Sequence, residues 1–251
     1  MTGEMKEKHK MVKISAHRGG SEIAAPATYD AYSAALKSGA EYAEFDIRKT
    51  EDNVLVVYHD AYVKNTRRPV RTIPYKELCD RMGYQVPRVS EVMKLLAGKM
   101  AGHLDLKEIG YEEEVIDMAL RTFGADNFIA TTLEDMSIAN IKRAFPQVKT
   151  ALSLGRNLDG LPRWRRVAVR KAEIFPISRL HACGADWVAM NFKLAKFGVI
   201  GTCVRNAVGV MVWTVDVDSS IDQFLADERI NVLITNRPGY AVARRAALTL
   251  N

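Results

Sequence analysis

Two acidic residues lie two positions apart in a segment that otherwise has the composition of a buried strand. Glu44 and Asp46 alternate with three apolar residues across positions 43–47. Because side chains two positions apart on a strand point to the same face, the two carboxylates project together. Carboxylates held this close repel each other unless a cation lies between them, so the pattern favours a site for a hard divalent metal ion. The alternatives are ordinary salt bridges to Arg48 or Lys49, or an exposed strand face.

The segment HLDLK, at positions 103–107, repeats this alternation. His103, Asp105 and Lys107 are separated by single leucines. If both strands belong to one closed barrel with these faces inward, Asp105 supplies a third oxygen ligand and Lys107 a fixed positive charge beside it. His103 lies lower on its strand, and we interpret it as a core histidine with satisfied hydrogen bonds rather than a ligand.

Histidine also occurs at the ends of two other strand-like runs. His17, followed by Arg18, closes the first run, and His59 closes the third. In a barrel of parallel strands, catalytic side chains lie at the carboxyl ends of the strands. Two strand-end histidines together with two acid-bearing strands therefore indicate one catalytic site. His9 and His181 are assigned no role.

Short apolar runs alternate with amphipathic segments along the whole chain, and these elements must position the polar side chains. The strand candidates are 12–17, 42–47, 54–59, 101–107, 128–132, 148–154, 186–191, 208–215 and 231–235. The helix candidates are 28–38, 89–98, 112–123, 134–144, 162–172, 194–206, 218–227 and 238–247. This alternation predicts an α/β fold, a (β/α)8 barrel first and an open doubly wound sheet second. HRGG at 17–20 lacks the glycine spacing of a nucleotide-binding loop, which counts against the second architecture.

The early part of the chain is irregular for a barrel. Nine strand candidates are one too many, and residues 48–53 are too few for a crossover helix. Either this connection crosses back in extended form or one candidate is not a barrel strand. The segment 61–88, with three prolines and little periodicity, is predicted to be an insertion after the third strand. We expect one domain over residues 1–251.

Composition restricts the classes of partner and compartment. The net charge of +6 and the pI near 9.2 favour anionic partners. The basic stretch at 163–171 alternates with apolar residues and is interpreted as a solvated helix face, so no nucleic-acid partner is expected. No apolar run approaches the ~20 residues of a membrane span, and residues 1–13 are too charged for a signal peptide. We expect a cytoplasmic protein.

The chain contains three cysteines that are widely separated and lack metal-ligand spacing. Cys79, Cys183 and Cys203 suit a reducing cytosol, and all three are interpreted as structural.

In their order along the chain, these segments resemble the glycerophosphodiester phosphodiesterases. The most specific block has His-Arg-Gly, then Glu-x-Asp followed by Thr-x-Asp, then His-Asp. The matching stretches are AHRGG, AYSAALKSGAEYAEFDIRKTEDNVLVVYHD, VPRVSEVMKLL, HLDLKE, VMVWTVD and INVLITNRP. The resemblance implies a TIM barrel of the type found in phosphoinositide-specific phospholipases C, with a small insertion after strand 3.

The resemblance also implies a role for each residue of the site. Metal ligands are expected at Glu44, Asp46 and Asp105, around one divalent cation, Mg²⁺ or Ca²⁺. His17 and His59 are expected to act as general acid and base. Phosphate would be bound by Arg18 and Lys107, while Trp213 forms an aromatic wall beside the alcohol group or, alternatively, is a core aromatic.

The activity implied is metal-dependent hydrolysis of a small-molecule glycerophosphodiester. The products are an alcohol and glycerol 3-phosphate, by way of a cyclic phosphate intermediate, in lipid or glycerol metabolism. One alternative is a related lyase or hydrolase for a sugar phosphodiester, a lysophospholipid or a sphingomyelinase D-type substrate. A second alternative is a non-catalytic binder of phosphate ligands or nucleic acid on the same fold. The resemblance does not specify the oligomeric state.

The sequence departs from the family pattern at several positions around the expected site. Residues 26–28, Pro-Ala-Thr, stand where the family has Glu-Asn-Thr, and Glu22 is a candidate replacement for the missing acid. Asp105 stands in place of a glutamate, Thr131–Thr132 in place of Ser-Phe, and Asn236 in place of the aspartate of Thr-Asp-x-Pro. These departures lie around the substrate, so they bear on substrate identity more than on phosphodiester chemistry.

Overall fold

Strands and helices alternate throughout residues 11–249, the part of the chain that the computed structural model describes; His9 lies outside it. The strands are β1 Lys13–Ala16, β2 Tyr42–Lys49, β3 Leu55–Val57, β4 Ala101–Leu106, β5 Phe128–Thr132, β6 Thr150–Leu154, β7 Trp187–Asn191, β8 Gly209–Trp213 and β9 Val232–Thr235. The helices are α1 Tyr29–Ala35, α2 Tyr75–Met82, α3 Val89–Leu96, α4 Glu112–Phe123, α5 Asp135–Ala144, α6 Arg163–Ile174, α7 Ile177–Cys183, α8 Val199–Arg205, α9 Asp218–Leu225 and α10 Pro238–Thr249.

Eight of the strands close into a parallel barrel. β1 pairs in parallel with both β2 and β9, and the remaining neighbours follow in the order β9, β8, β7, β6, β5, β4, β2. The prediction of a (β/α)8 barrel is therefore confirmed.

β3 is the surplus strand candidate. It pairs antiparallel with β2, Ile47 opposite Val57, and lies outside the closed ring. Residues 50–54 form the tight turn between the two strands, in which the Asn53 amide donates to the Thr50 carbonyl at 3.1 Å. Asn53 adopts a φ of 61°, a left-handed conformation that asparagine tolerates better than most residues. A hairpin thus replaces the crossover helix that the short connection excluded.

The side-chain alternation of β2 separates two apolar layers. Phe45 and Ile47 are fully buried among residues packed between the strands and the surrounding helices. A second cluster fills the barrel interior and is formed by Tyr42, Ile129, Ala151, Ala189, Met211, Val232 and Ile234. Glu44 and Asp46 share the inward face of β2 with Tyr42, so they lie above this interior cluster, toward the carboxyl ends of the strands.

The segment 61–88 has a small core of its own. Val63, Val70, Ile73 and Leu78 are buried in a cluster that also includes residues of the β3 region. α2, which the sequence reading did not find, lies in this segment and ends at Gly83 with a φ of +74°. α7 was also missed. That the chain is one domain stays a prediction.

Two further features bear on the expected compartment. Within residues 11–249, no helix has the length and apolarity needed to cross a bilayer. Cys79, Cys183 and Cys203 are all free thiols, and the last two are buried.

Candidate active site

A cavity of about 640 Å³ opens at the carboxyl ends of the barrel strands. It is lined by residues on β2 and on β4 to β9, and by residues in the segments that follow β1 and β3. All eight residues that the sequence predicted for the site line this one cavity, namely His17, Arg18, Glu44, Asp46, His59, Asp105, Lys107 and Trp213. The structure therefore brings the whole predicted set together, while the role of each residue stays a prediction.

The HRGG segment forms a tight turn that the two glycines make possible. Residues His17–Gly19 form a 3-10 turn directly after β1, and Arg18 has a φ of 52°. A Cβ atom at Gly19, whose φ is +80°, would lie 2.9 Å from the backbone of Ala31. Only glycine fits this approach to α1. The turn directs the backbone N–H of Arg18 toward Oε2 of Glu44, at 2.8 Å.

The three predicted metal ligands form one acidic cluster. Glu44, Asp46 and Asp105 each offer a carboxylate oxygen within 4.8 Å of the others. Asp46 and Asp105 are paired in register on β2 and β4, which places both carboxylates on the inner face of the barrel. Glu44 and Asp46 are almost fully buried, at 3% and 1% exposure.

The positive charges beside this cluster come from Arg18 and Lys107. Nε of Arg18 lies 3.0 Å from Oδ2 of Asp46, and Nζ of Lys107 lies 2.7 Å from Oδ1 of the same residue. Lys107 also contacts Asp105. The alternative reading of salt bridges to Arg48 or Lys49 is wrong, because those two side chains pair with Glu108 and Glu114 instead.

Burial and charge move the pKa values of neighbouring groups in opposite directions. Burial, with the charges of Asp46 and Asp105, raises the pKa of Glu44 well above its ordinary value. Burial also acts to raise the pKa of Asp46, but Lys107 and Arg18 outweigh it and hold that pKa below its ordinary range. For Lys107, the nearby carboxylates outweigh burial and raise the pKa. A further cation would favour the ionised form of Glu44.

The acidic cluster fits a hard divalent cation. Oδ2 of Asp46 and Nε of Arg18 are buried and, among residues 11–249, have no partner with hydrogen-bond geometry. The two atoms lie 3.0 Å apart as an ion pair without hydrogen-bond alignment, so a cation could coordinate Oδ2 of Asp46. Together with Glu44 and Asp105, Asp46 supplies the all-oxygen donor set that Mg²⁺ and Ca²⁺ prefer.

The network behind His17 fixes the tautomer of its imidazole. Nδ1 of His17 lies 2.8 Å from Oδ1 of Asn236, and Nδ2 of Asn236 donates to Oδ2 of Asp216 at 2.7 Å. Because a carboxylate only accepts hydrogen bonds, the amide of Asn236 must direct its NH2 group at Asp216 and its oxygen at His17. The amide oxygen in turn only accepts, so we assign the proton to Nδ1 of His17. Nε2 remains free and lies 4.0 Å from Oε2 of Glu44. Burial, reinforced by Arg18, lowers the pKa of His17.

The second histidine is more open to solvent. The side chain of His59 is 45% exposed, and its Nδ1 lies 2.7 Å from Oδ1 of Asp60. Its backbone carbonyl accepts two hydrogen bonds from the guanidinium of Arg48, at 3.0 and 3.1 Å. Arg48 therefore holds the segment after β3 against β2.

His103 lies at the floor of the cavity and is held on both sides. Nδ1 lies 3.0 Å from Oγ of Ser15, and Nε2 lies 3.1 Å from Oγ1 of Thr131. Burial lowers the pKa of His103 to about 3. Thr131 also donates to Oδ1 of Asp105 at 3.0 Å. These contacts confirm His103 as a satisfied core histidine.

Trp213 lies on the opposite side of the cavity. Its indole Nε1 donates to the carbonyl of Ala189 at 2.9 Å. Gly155, at the end of β6, allows this packing, because a Cβ atom there would lie 2.5 Å from the Cβ of Asn191 and 3.4 Å from the indole ring. Trp213 is thereby held among the residues that line the cavity.

Two residues of the segment 22–28 have structural roles outside the cavity. Thr28 is the N-cap of α1, with its hydroxyl accepting from the Ala31 amide at 3.2 Å. The carboxylate of Glu22 accepts from the backbone N–H groups of Gly239 and Tyr240, at the N-terminus of α10. Glu22 is not among the residues that line the cavity, so the idea that it replaces the missing acid is wrong.

Three residues that organise the site were not predicted. Asp216, Arg48 and Thr131 each hold a predicted site residue in place. A signal for Asp216 was present, since it follows the strand β8 at the catalytic end, as His17 follows β1.

Comparison with known proteins gives one family. A model of the glycerophosphoryl diester phosphodiesterase family matches residues 17–240, a range that includes all eight predicted site residues. The chain is 24% identical over 244 residues to a glycerophosphodiester phosphodiesterase of Caldanaerobacter subterraneus, covering 90% of this chain and 94% of that one.

Solved structures share the barrel. A glycerophosphodiester phosphodiesterase from Parabacteroides distasonis has a TM-score of 0.75 at 20% identity, covering 96% of this chain and 99% of that one. An Oleispira antarctica phosphodiesterase, in complex with the product sn-glycerol-3-phosphate, has a TM-score of 0.72 at 17% identity, covering 93% and 96%. At these identities the likeness bears on the fold alone.

Proposed function

Since the chain belongs to the glycerophosphoryl diester phosphodiesterase family and is a phosphodiesterase, we propose that it hydrolyses a small glycerophosphodiester to an alcohol and glycerol 3-phosphate. The observation that carries this proposal is the convergence of an acidic cluster, two cations and two histidines in one cavity. The product complex of the Oleispira antarctica phosphodiesterase supports the choice of substrate class.

Phosphate recognition is assigned to Arg18 and Lys107. Both side chains line the cavity beside Asp46, and the carboxylates of Asp105 and Asp46 raise the pKa of Lys107. A phosphodiester oxygen can exchange with Asp46 as a partner of either cation. The two groups then offset negative charge that grows on the phosphate in the transition state.

Glu44, Asp46 and Asp105 are the residues we propose to hold one divalent cation. When bound, such an ion supplies Lewis-acid stabilisation of charge on phosphate oxygens. Turnover with added Mg²⁺ or with added Ca²⁺ distinguishes the two ions.

Proton transfer is assigned to His17 and His59. With Nδ1 bonded to Asn236, His17 presents an unprotonated Nε2 to the cavity and can accept a proton from an attacking hydroxyl. His59, held by Asp60 at Nδ1, can deliver a proton to the leaving alkoxide. In the first step the glycerol 2-hydroxyl would attack phosphorus, forming a cyclic phosphate and releasing the alcohol. Water would then open the ring, with the histidine roles reversed.

The test is turnover of a phosphodiester panel with and without added metal. The panel contains glycerophosphocholine, glycerophosphoethanolamine, a lysophospholipid and a sugar phosphodiester. We expect EDTA to abolish turnover and Mg²⁺ or Ca²⁺ to restore it. Phosphorus NMR of the products distinguishes glycerol 3-phosphate from a persistent cyclic ester, which would instead indicate a lyase.

Two variants sharpen this test. Glu44→Gln should lower kcat by at least about 100-fold and weaken metal binding measured by calorimetry, because one anionic ligand is lost. Glu51→Gln, an exposed carboxylate at the nearby hairpin turn, is the matched control and should change neither. Turnover that persists in EDTA would contradict the metal role, and absence of turnover for every diester would contradict the proposed function.

A further inference from the structure

Helix α6 turns an apolar face toward solvent. Trp164 and Val167 are 68% and 61% exposed, and Phe175, directly after the last residue of the helix, is 67% exposed. Trp164, Val167 and Lys171 are spaced by three and four residues, so they lie along one side of the helix. The only fully buried residue of α6 is Glu173, on the opposite side.

The same helix carries a concentration of positive charge. Arg163, Arg165, Arg166 and Lys171 are exposed, and none of them pairs with an acidic side chain within residues 11–249. The guanidinium of Arg165 lies 5.1 Å from the ring centroid of Trp164. The one acidic residue of α6, Glu173, is buried. The outward face of α6 therefore combines exposed apolar and basic side chains.

This helix is tied to the rim of the active-site cavity. Oε1 of Glu173 accepts from the backbone N–H groups of Gly155 and Arg156, at 2.7 and 3.0 Å. Arg170 donates to the carbonyl of Arg156 at 3.3 Å. Gly155 and Arg156 both line the cavity.

A neighbouring turn extends the face of α6. The 3-10 turn Leu194–Phe197 follows β7 at the same end of the barrel and packs near the helix. In this turn, Phe197 is 63% exposed and Lys196 is also exposed. This turn thus repeats the combination of exposed aromatic and basic side chains found on α6.

We propose that the outward face of α6 is a docking surface for an anionic lipid bilayer. An interfacial helix inserts Trp, Phe and aliphatic side chains at the boundary between headgroups and acyl chains, while its Lys and Arg residues contact lipid phosphates. Trp164, Val167 and Phe175 meet the first requirement. Arg163 and Arg165 meet the second, and the net charge of +6 adds attraction to an anionic surface.

Two other classes of partner fit these residues less well. A nucleic acid would use the arginines and could stack on Trp164, but it offers no apolar environment for Val167. A second copy of this chain, related by a two-fold axis, would bring the same unpaired arginines against each other. A bilayer satisfies the charge and the apolar residues together. Docking in this way would bring the cavity rim at Gly155 and Arg156 close to the membrane, which favours diesters linked to lipid; this consequence rests on the proposed function.

Vesicle co-sedimentation tests the docking surface without any turnover. The full chain is mixed with vesicles of phosphatidylglycerol and phosphatidylcholine, and separately with vesicles of phosphatidylcholine alone. We expect binding to the anionic vesicles only, and weaker binding as salt is added. Trp164→Asp, and the double variant Arg163→Glu with Arg165→Glu, should each weaken binding by at least about tenfold. Lys94→Glu reverses an exposed charge on α3 and should bind as the unaltered protein does.

The outcomes separate docking from catalysis and from other partners. Hydrolysis of a soluble diester by the α6 variants should equal that of the unaltered protein, because none of the substituted residues lines the cavity. If the proposed function fails, no variant turns over any diester, yet vesicle binding still reports on α6. Vesicle binding that is absent, or equal in all variants, overturns the proposal. So does tighter binding to duplex DNA than to vesicles, or a dimer that Trp164→Asp dissociates. Circular dichroism verifies folding, and Val167→Asp replaces any variant that unfolds.

Discussion

The orientation of His17 depends on a residue that touches no substrate. Asp216 accepts hydrogen bonds from the side-chain amide and the backbone N–H of Asn236, at 2.7 and 2.8 Å. Oδ1 of Asn236 in turn accepts a hydrogen bond from Nδ1 of His17. The aspartate expected in the family at position 236 would give this histidine a charged partner directly. In this chain the carboxylate of Asp216 contacts Asn236 rather than His17. It therefore orients the imidazole only through the side-chain amide of Asn236.

Asp216→Asn tests this arrangement. The new amide can donate as well as accept, so Asn236 can rotate and offer its own N–H to Nδ1 of His17. The proton would then move to Nε2, which faces the cavity, and the imidazole could no longer act as the base. We expect kcat to fall by about 100-fold, in the range that one proton-transferring side chain contributes, with little change in KM. Nitrogen-15 NMR of the imidazole measures the change of tautomer.

The matched control is Asp218→Asn. Asp218 pairs with Arg237 at the surface and does not contact Asn236. It should leave both kcat and the imidazole spectrum unchanged. An Asp216→Asn protein that keeps its Nδ1–H signal and its kcat would contradict the role of Asp216.

At the scale of elements, β2 positions both sides of the catalytic site. Its inward face carries Glu44 and Asp46, and near its end the guanidinium of Arg48 holds the carbonyl of His59. The backbone N–H of Tyr58, the residue before His59, also donates to the carbonyl of Asp46 at 3.0 Å, so β2 holds this segment at two points. Arg48 thus couples the hairpin geometry to the position of His59, the proposed proton donor.

Replacing Arg48 should therefore affect catalysis more than binding. Arg48→Met removes both hydrogen bonds to His59 and the pair with Glu108, which lies at 2.7 Å. Misplacement of His59 by about 1 Å would lower kcat by about 10- to 100-fold while KM changes little. Steady-state kinetics measures both constants.

Lys49→Met is the neighbouring control, since Lys49 pairs only with the surface residue Glu114 within the described chain. It should leave kcat unchanged. An Arg48→Met enzyme with normal kcat would indicate that the other contacts of this segment position His59.

The strand pattern of the sequence located the elements that carry the site, because an acid among apolar neighbours is conspicuous. The register that sets Asp46 beside Asp105 could not be read in the same way, since it depends on barrel closure between strands far apart in sequence. α2 and α7 were missed because short helices give little periodicity. The contact between Asn236 and His17 could not be read from the sequence, because it depends on the pairing of β1 with β9, which are more than 200 residues apart in the chain.

At the scale of the whole molecule, the three cysteines belong to two separate apolar clusters. Cys183 and Cys203 are buried in the layer between the barrel and its helices. Cys79 is half-buried and packs against the smaller cluster of the insertion, where its Sγ accepts from the Val86 amide at 3.4 Å. Burial raises the pKa of Cys203 to about 11 and also raises the pKa of Cys183. At pH 8 the Cys203 thiol is therefore almost entirely neutral and unreactive.

Thiol labelling with Ellman's reagent at pH 8 uses the difference in burial between Cys79 and the other two cysteines. It tests whether the insertion unfolds with the barrel. We expect one thiol to react in the native protein and three in denaturant, with the fast reaction lost in Cys79→Ser. Cys183 and Cys203 become reactive only when the helices leave the barrel, so their labelling rates should follow global unfolding as denaturant rises. Because the insertion cluster is small, Cys79 should label through local opening, with a much weaker dependence on denaturant. Equal denaturant dependence for all three thiols would instead mean that the insertion and the barrel open as one cooperative unit.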